Sequence, residues 1–115
     1  MAKNYSSAIF LIYLGFLQIL NSQLVLPTNN SVLNYIHVLF EWNQYPNSES
    51  YKLEISTDSL FHNITRTATV NSLIYIEKET IDWGSKYYWR IRPIFEDSFT
   101  SDWSETYHFI TGQKR

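Results

Sequence analysis

From Ile36 onward, apolar and polar positions alternate along the chain with a period of two. Ile36, Val38, Phe40 and Trp42 alternate with His37, Leu39 and Glu41. Tyr51, Leu53 and Ile55 alternate with Lys52, Glu54 and Ser56. Tyr87, Trp89 and Ile91 alternate with Tyr88, Arg90 and Arg92, and Tyr107 and Phe109 with Thr106, His108 and Ile110. Successive side chains of a strand point to opposite faces, so each segment predicts a strand with one face on a core. Residues 67–70 and 73–76 are rich in β-branched and aromatic residues and predict two more strands. Turn-forming residues separate these runs at 27–31, 43–50, 58–59, 71–72, 82–85 and 97–102. No window after Gln23 keeps a helical period. Short strands at near-regular spacing predict an all-β sandwich or barrel.

The first 22 residues follow a different rule. Residues 1–7 are polar with one positive charge, Lys3, and residues 8–20 are a nearly unbroken apolar run ended by Asn21, Ser22 and Gln23. That is the order of a secretory signal peptide. The run is about 13 residues, short of the roughly 20 that a membrane span needs. Cleavage before Gln23 leaves a mature chain of roughly 93 residues, the usual size of a small β-sandwich. An uncleaved anchor is the other reading. The expected organisation is a signal peptide at 1–22, a domain at 23–111, and a tail or the start of a linker at 112–115. The expected location is secreted, extracellular or at the cell surface, with the periplasm as an option.

Composition narrows the chemistry. The 115 residues contain no cysteine, so disulfides, thiolate metal sites and cysteine nucleophiles are excluded. A small exported domain without disulfides must rest on buried side chains, and four Trp, nine Tyr and seven Phe supply them. Nine basic against eleven acidic residues give a net charge of −2, which argues against nucleic-acid binding through bulk charge. His37, His62 and His108 have no metal-ligand spacing. Glu77 and Glu79 read as neighbours on one face of a charged surface stretch, and no carboxylate pair stands out as catalytic. Phosphate-binding glycine loops and serine-nucleophile motifs are absent. No cofactor is expected. Asn29-Asn30-Ser31 and Asn63-Ile64-Thr65 are glycosylation sequons, relevant only to a eukaryotic secretory route.

Taken in order, P-x-N-N-S (27–31), F-E-W (40–42), Y-K-L-E-I-S (51–56), I-D-W-G-S-K-Y-Y-W-R-I-R (81–92), S-D-W-S (101–104) and F-I-T (109–111) resemble a fibronectin type III domain of the kind found in secreted bacterial proteins. The resemblance spans 24–111 and implies an immunoglobulin-like sandwich of about seven antiparallel strands. It places Trp42 at the end of the second strand and Tyr51 at the start of the third. Ile81, Gly84 and Tyr87 match the passage into the sixth, with Tyr87 as a corner tyrosine whose hydroxyl bonds nearby backbone. Phe109 and Thr111 match the closing F-x-T. With Trp89, the residues Trp42, Tyr51, Tyr87 and Phe109 form the expected structural core. Residues 27–31, 40–42, 58–61 and 87–93 also resemble modules at the front of large secreted enzymes, arylsulfotransferases among them. That likeness brings no catalytic residue into this chain. Pro93 departs from the pattern, because proline cannot donate to a central ladder. Either the strand ends at Arg92, or Pro93 occupies a bulge or an unpaired position.

Candidate binding residues cluster near the end of the chain. Arg90 and Arg92 share a face, and Trp103 precedes the strand expected to pair with theirs. Ser101, Trp103 and Ser104 resemble part of the W-S-x-W-S signature of cytokine-receptor domains. Stacking of Trp103 on either guanidinium either stiffens a sheet face or makes a binding hot spot. Trp83, Tyr88 and Tyr45 are read as exposed rings able to stack on sugars, or else as loop packing. Asp58 reads as turn chemistry, with Phe61 plugging the core edge. The expected function is a non-catalytic extracellular spacer, or a module binding an unidentified protein or glycan. The alternative is an accessory domain at the front of a larger secreted enzyme, contacting a downstream domain of the same polypeptide.

Overall fold

The computed structural model describes residues 23–115, so the expected signal peptide lies outside the described residues. Eight strands follow one another: β1 (Leu24–Leu26), β2 (Ser31–Leu33), β3 (Val38–Trp42), β4 (Ser48–Ser56), β5 (Ile64–Val70), β6 (Ile74–Glu77), β7 (Lys86–Phe95) and β8 (Tyr107–Thr111). They form a three-stranded sheet, β1-β3-β6, and a five-stranded sheet, β2-β8-β7-β4-β5. The eighth strand beyond the expected seven arises because the first segment divides. β1 pairs antiparallel with β3, and the chain then crosses to the other layer, where β2 runs parallel to β8. Buried Pro27 and Asn30 in a left-handed conformation (φ 64°) turn the chain between them. Asparagine accepts that conformation more readily than most residues.

The inward parity of β3, β4, β7 and β8 fills the space between the layers. Trp42, Tyr51, Tyr87, Trp89 and Phe109 are all buried, together with Phe40, Leu53, Ile55 and Ile91. The rings meet edge to face: Phe40 and Trp89 at 5.0 Å and 73°, Trp42 and Tyr51 at 5.7 Å and 64°. Such pairs contribute about 0.5–1.5 kcal/mol beyond area burial. Two tyrosines also tie down loops. The Tyr51 hydroxyl accepts from the Tyr45 backbone N–H at 2.9 Å and shares a hydrogen bond with Ser48. The Tyr87 hydroxyl accepts from the Asp82 N–H at 2.8 Å and donates to the Thr80 carbonyl at 3.4 Å. Tyr87→Phe keeps the ring and orphans that N–H. It is expected to lower stability by about 1–2 kcal/mol in urea titration.

Pro93 lies inside β7, so the strand does not end at Arg92. Ile91 gives its N–H to Ser104 Oγ at 3.0 Å and takes the Ser104 N–H on its carbonyl at 2.7 Å. Two residues on, with the same orientation, the Pro93 carbonyl faces Ser101 at 3.4 Å. The missing N–H therefore points away from β4, although Pro93 stands opposite Tyr51 in the ladder. No β4–β7 hydrogen bond is lost, and the unpaired-position reading is the correct one.

Glu77 corrects a sequence expectation. It is fully buried, not part of a surface face with Glu79. Tyr75 and Glu77 share the inward parity of β6. The strand ends at Glu77, and the chain turns Glu79 out to solvent. The buried carboxylate accepts from Arg66 Nε at 2.7 Å, the Tyr75 hydroxyl at 2.9 Å, and the Glu79 and Thr80 backbone N–H groups at 2.9 Å each.

Candidate functional site

The outer face of the five-stranded sheet carries charged residues in pairs. Antiparallel register sets Glu54 opposite Arg90 and Lys52 opposite Arg92. Residues two apart on one strand face are roughly 7 Å apart, enough for one aromatic ring between two stacked planes. Trp103 takes that place. Its ring lies 4.2 Å from the Arg90 guanidinium carbon and 4.4 Å from that of Arg92. Sequence reasoning offered one stack or the other, and the structure has both. The serines beside Trp103 hold it there. Ser104 pairs with Ile91 in place of a strand residue, and the Ser101 carbonyl accepts from Arg92 Nε at 3.1 Å.

The stack extends one layer further. Phe61 packs on the other side of Arg90 at 3.9 Å, giving the order Phe61, Arg90, Trp103, Arg92. Phe61 is buried on this outer face and does not plug the core edge. It follows a turn and has a left-handed backbone (φ 58°), so strand alternation does not govern its direction. Asp58 holds the turn: its carboxylate accepts from the Asn63 N–H at 2.8 Å, the His62 N–H at 3.2 Å and Ser56 Oγ at 2.8 Å. Partial burial pushes the Asp58 carboxyl up, but these hydrogen bonds outweigh it and leave it below the usual carboxylate range. Arg90 is also fixed by Glu54 Oε1, at 2.8 Å from Nη2 and 3.1 Å from Nε. Glu54, expected on an open face, is buried by this arrangement.

Each cation–π contact contributes about 0.5–1 kcal/mol where exposed and more where desolvated. Trp103→Ala removes two of the three. It is expected to lower stability by about 1–2 kcal/mol and to loosen the 96–106 segment, measured as faster amide exchange at Ser101 and Ser104. Unchanged exchange there would show that the ring does not hold the segment.

The other candidate rings do not join this array. Trp83, Tyr88 and Tyr45 are half-buried, not fully exposed. Tyr88 neighbours His108, with ring centres 5.9 Å apart, and Lys86 Nζ at 5.3 Å. Trp83 belongs to the turn entering β7. Tyr45 sits by the β4 residues that pair with the opposite end of β7, packed on Tyr51 at 6.2 Å. The three rings form no common platform. Among the described residues, no three His, Asp or Glu side chains are grouped as metal ligands.

No family model matches the sequence, and the curated proteins give no match. Solved structures do match. The chain aligns with a crystal structure of a Fn3-like protein from Clostridium thermocellum with a TM-score of 0.59 and 23% identity, over 82% of this chain and 99% of that one. The fold is fibronectin type III-like. The same sandwich matches 10% of the α-L-rhamnosidase of Streptomyces avermitilis, solved with L-rhamnose (TM-score 0.61, 18% identity, 75% of this chain). It matches 13% of the β-1,2-glucanase of Parabacteroides distasonis (TM-score 0.58, 16% identity, 82% of this chain). Fibronectin type III-like sandwiches thus occur as small parts of enzymes, and here the sandwich accounts for nearly all the described residues.

Proposed function

We propose that this chain is a secreted, non-catalytic fibronectin type III-like module that works as a rigid spacer or through its surface. The supporting observation is the stack on the five-stranded sheet. Arg90, Arg92, Glu54 and Asp58 are engaged by ring stacking, ion pairing or turn hydrogen bonds, an arrangement suited to stiffening a face. Purified residues 23–115 are expected to give no turnover on aryl glycosides or aryl sulfates. Turnover above buffer would overturn the reading. Export is tested separately. The full chain is expected to leave the cytoplasm and to begin at Gln23 on N-terminal sequencing.

A second reading is an accessory domain at the front of a larger secreted enzyme such as an arylsulfotransferase; the occurrence of this fold within two glycosidases supports the accessory role alone. An antibody against residues 23–115 distinguishes the two in the native cell. A product of this chain's own size supports the free module, and a much larger one supports the accessory domain.

A further inference from the structure

At the end of the sandwich where β7 finishes, an open cleft of about 790 Å3 lies between the β3–β4 loop and the β7–β8 loop. Pro46 and Asn47 form one wall, and Phe95, Glu96, Asp97 and Phe99 the other. Glu49 and Glu96 line its continuation. Phe95 and Phe99 stack nearly parallel, with ring centres 6.2 Å apart at 22°. The turn between them is closed by the Phe95 N–H on the Phe99 carbonyl at 2.8 Å and the Ser98 N–H on the Phe95 carbonyl at 2.9 Å. The outer ring, Phe99, is 66% exposed. A large ring so exposed in a cleft of one charge sign marks an interaction site more readily than an isolated surface apolar residue does.

The wall chemistry is one-sided. The lining residues include three carboxylates, Glu49, Glu96 and Asp97, and no cation. An aromatic face beside carboxylates attracts a flat cation, which can stack on the ring while donating hydrogen bonds at its edge. The same protein shows that setting filled. On the five-stranded sheet, the Arg90 guanidinium lies 3.9 Å from the Phe61 ring while donating to Glu54 at 2.8 Å. The cleft offers phenylalanine and carboxylates again, with no guanidinium of its own. A sugar fits less well, because its hydroxyls need donors as well as acceptors and Asn47 is the one amide side chain on the walls.

We propose that the cleft docks an arginine side chain carried on an extended segment of a partner protein. The guanidinium stacks on Phe99 and bonds to Glu96 or Asp97, and Glu49 adds to the attraction. Lysine is the weaker ligand, because an ammonium has no plane to lay on the ring.

The test is a titration of 15N-labelled residues 23–115 with a tetra-arginine peptide at roughly physiological ionic strength. Amide shifts are expected at Asn47, Glu49 and residues 95–99, with tetra-lysine binding more weakly. Phe99→Ala is expected to weaken tetra-arginine binding about two- to fivefold. The pair Glu96→Gln with Asp97→Asn is expected to weaken it more. The Asp97→Asn side chain keeps an oxygen that can accept from the Phe99 N–H, as the Asp97 carboxylate does at 3.1 Å. Preserved shift dispersion of the strand amides verifies that the variants are folded. Equal binding of tetra-lysine, or indifference to Phe99→Ala, reduces the effect to bulk negative charge and overturns the proposal. Cellotetraose shifting the same amides while tetra-arginine does not would replace the peptide with a glycan.

Discussion

Trp89→Ala is expected to destabilise the domain by about 3–5 kcal/mol, the range for emptying a large aromatic site in a packed core. Trp89 is fully buried at the middle of β7 and is contacted from both sides. Phe40 of the opposite sheet meets it at 5.0 Å, and Tyr107 of the adjacent strand at 6.1 Å. Small domains have about 5–15 kcal/mol in total, so the loss takes roughly a fifth of the stability or more. Trp89→Phe is expected to cost much less. It keeps a ring against Phe40, and the indole Nε1–H has no protein acceptor whose hydrogen bond would be lost. Urea titration followed by the three remaining tryptophans gives both values. A Trp89→Ala variant within about 1 kcal/mol of the parent would mean that the two layers do not close on this residue.

The periodic half of the fold was readable because inward parity is a local property. Once Trp42, Leu53, Trp89 and Phe109 are assigned to one face, the layers follow. Partners across the sheet are not local. Glu54 meets Arg90 from 36 positions away, and Glu77 meets Arg66 from 11. A single sequence does not state the register that joins them, so both carboxylates looked solvated. β1 and β2 have three residues each, too few to show alternation, which is why the divided first segment and the parallel pairing were missed. The arginine–tryptophan pair was visible because period two places Arg90 and Arg92 on one face. Phe61 was misplaced because its left-handed turn breaks that period. The cleft at the end of β7 gave no sequence signal, since Asn47 and Phe99 meet only after the loops fold over the sheet end.

Glu77 should set the acid limit of the fold. Burial alone would push its carboxyl up, but the Arg66 guanidinium, the Glu79 and Thr80 N–H groups and the Tyr75 hydroxyl together lower it from 4.5 to about 2. A carboxyl depressed by folding contributes stability that is fully present above its unfolded value and lost as pH falls toward its folded one. The window is therefore pH 5 down to about 2, and the loss is about 3 kcal/mol. Asp58, also lowered, acts in the same direction. At pH 7, Glu77→Ala is expected to cost about 3–5 kcal/mol, because it leaves Arg66 with only the exposed Glu79 carboxylate at 3.6 Å and strips two backbone donors of their acceptor. Glu77→Gln keeps the shape and removes the titration. Its stability should change less between pH 7 and pH 3 than the parent's, so the two curves converge as the acid limit is approached. Parallel curves for the parent and Glu77→Gln would show that other carboxylates set the limit, and that the Arg66–Glu77 pair has no special hold on the fold.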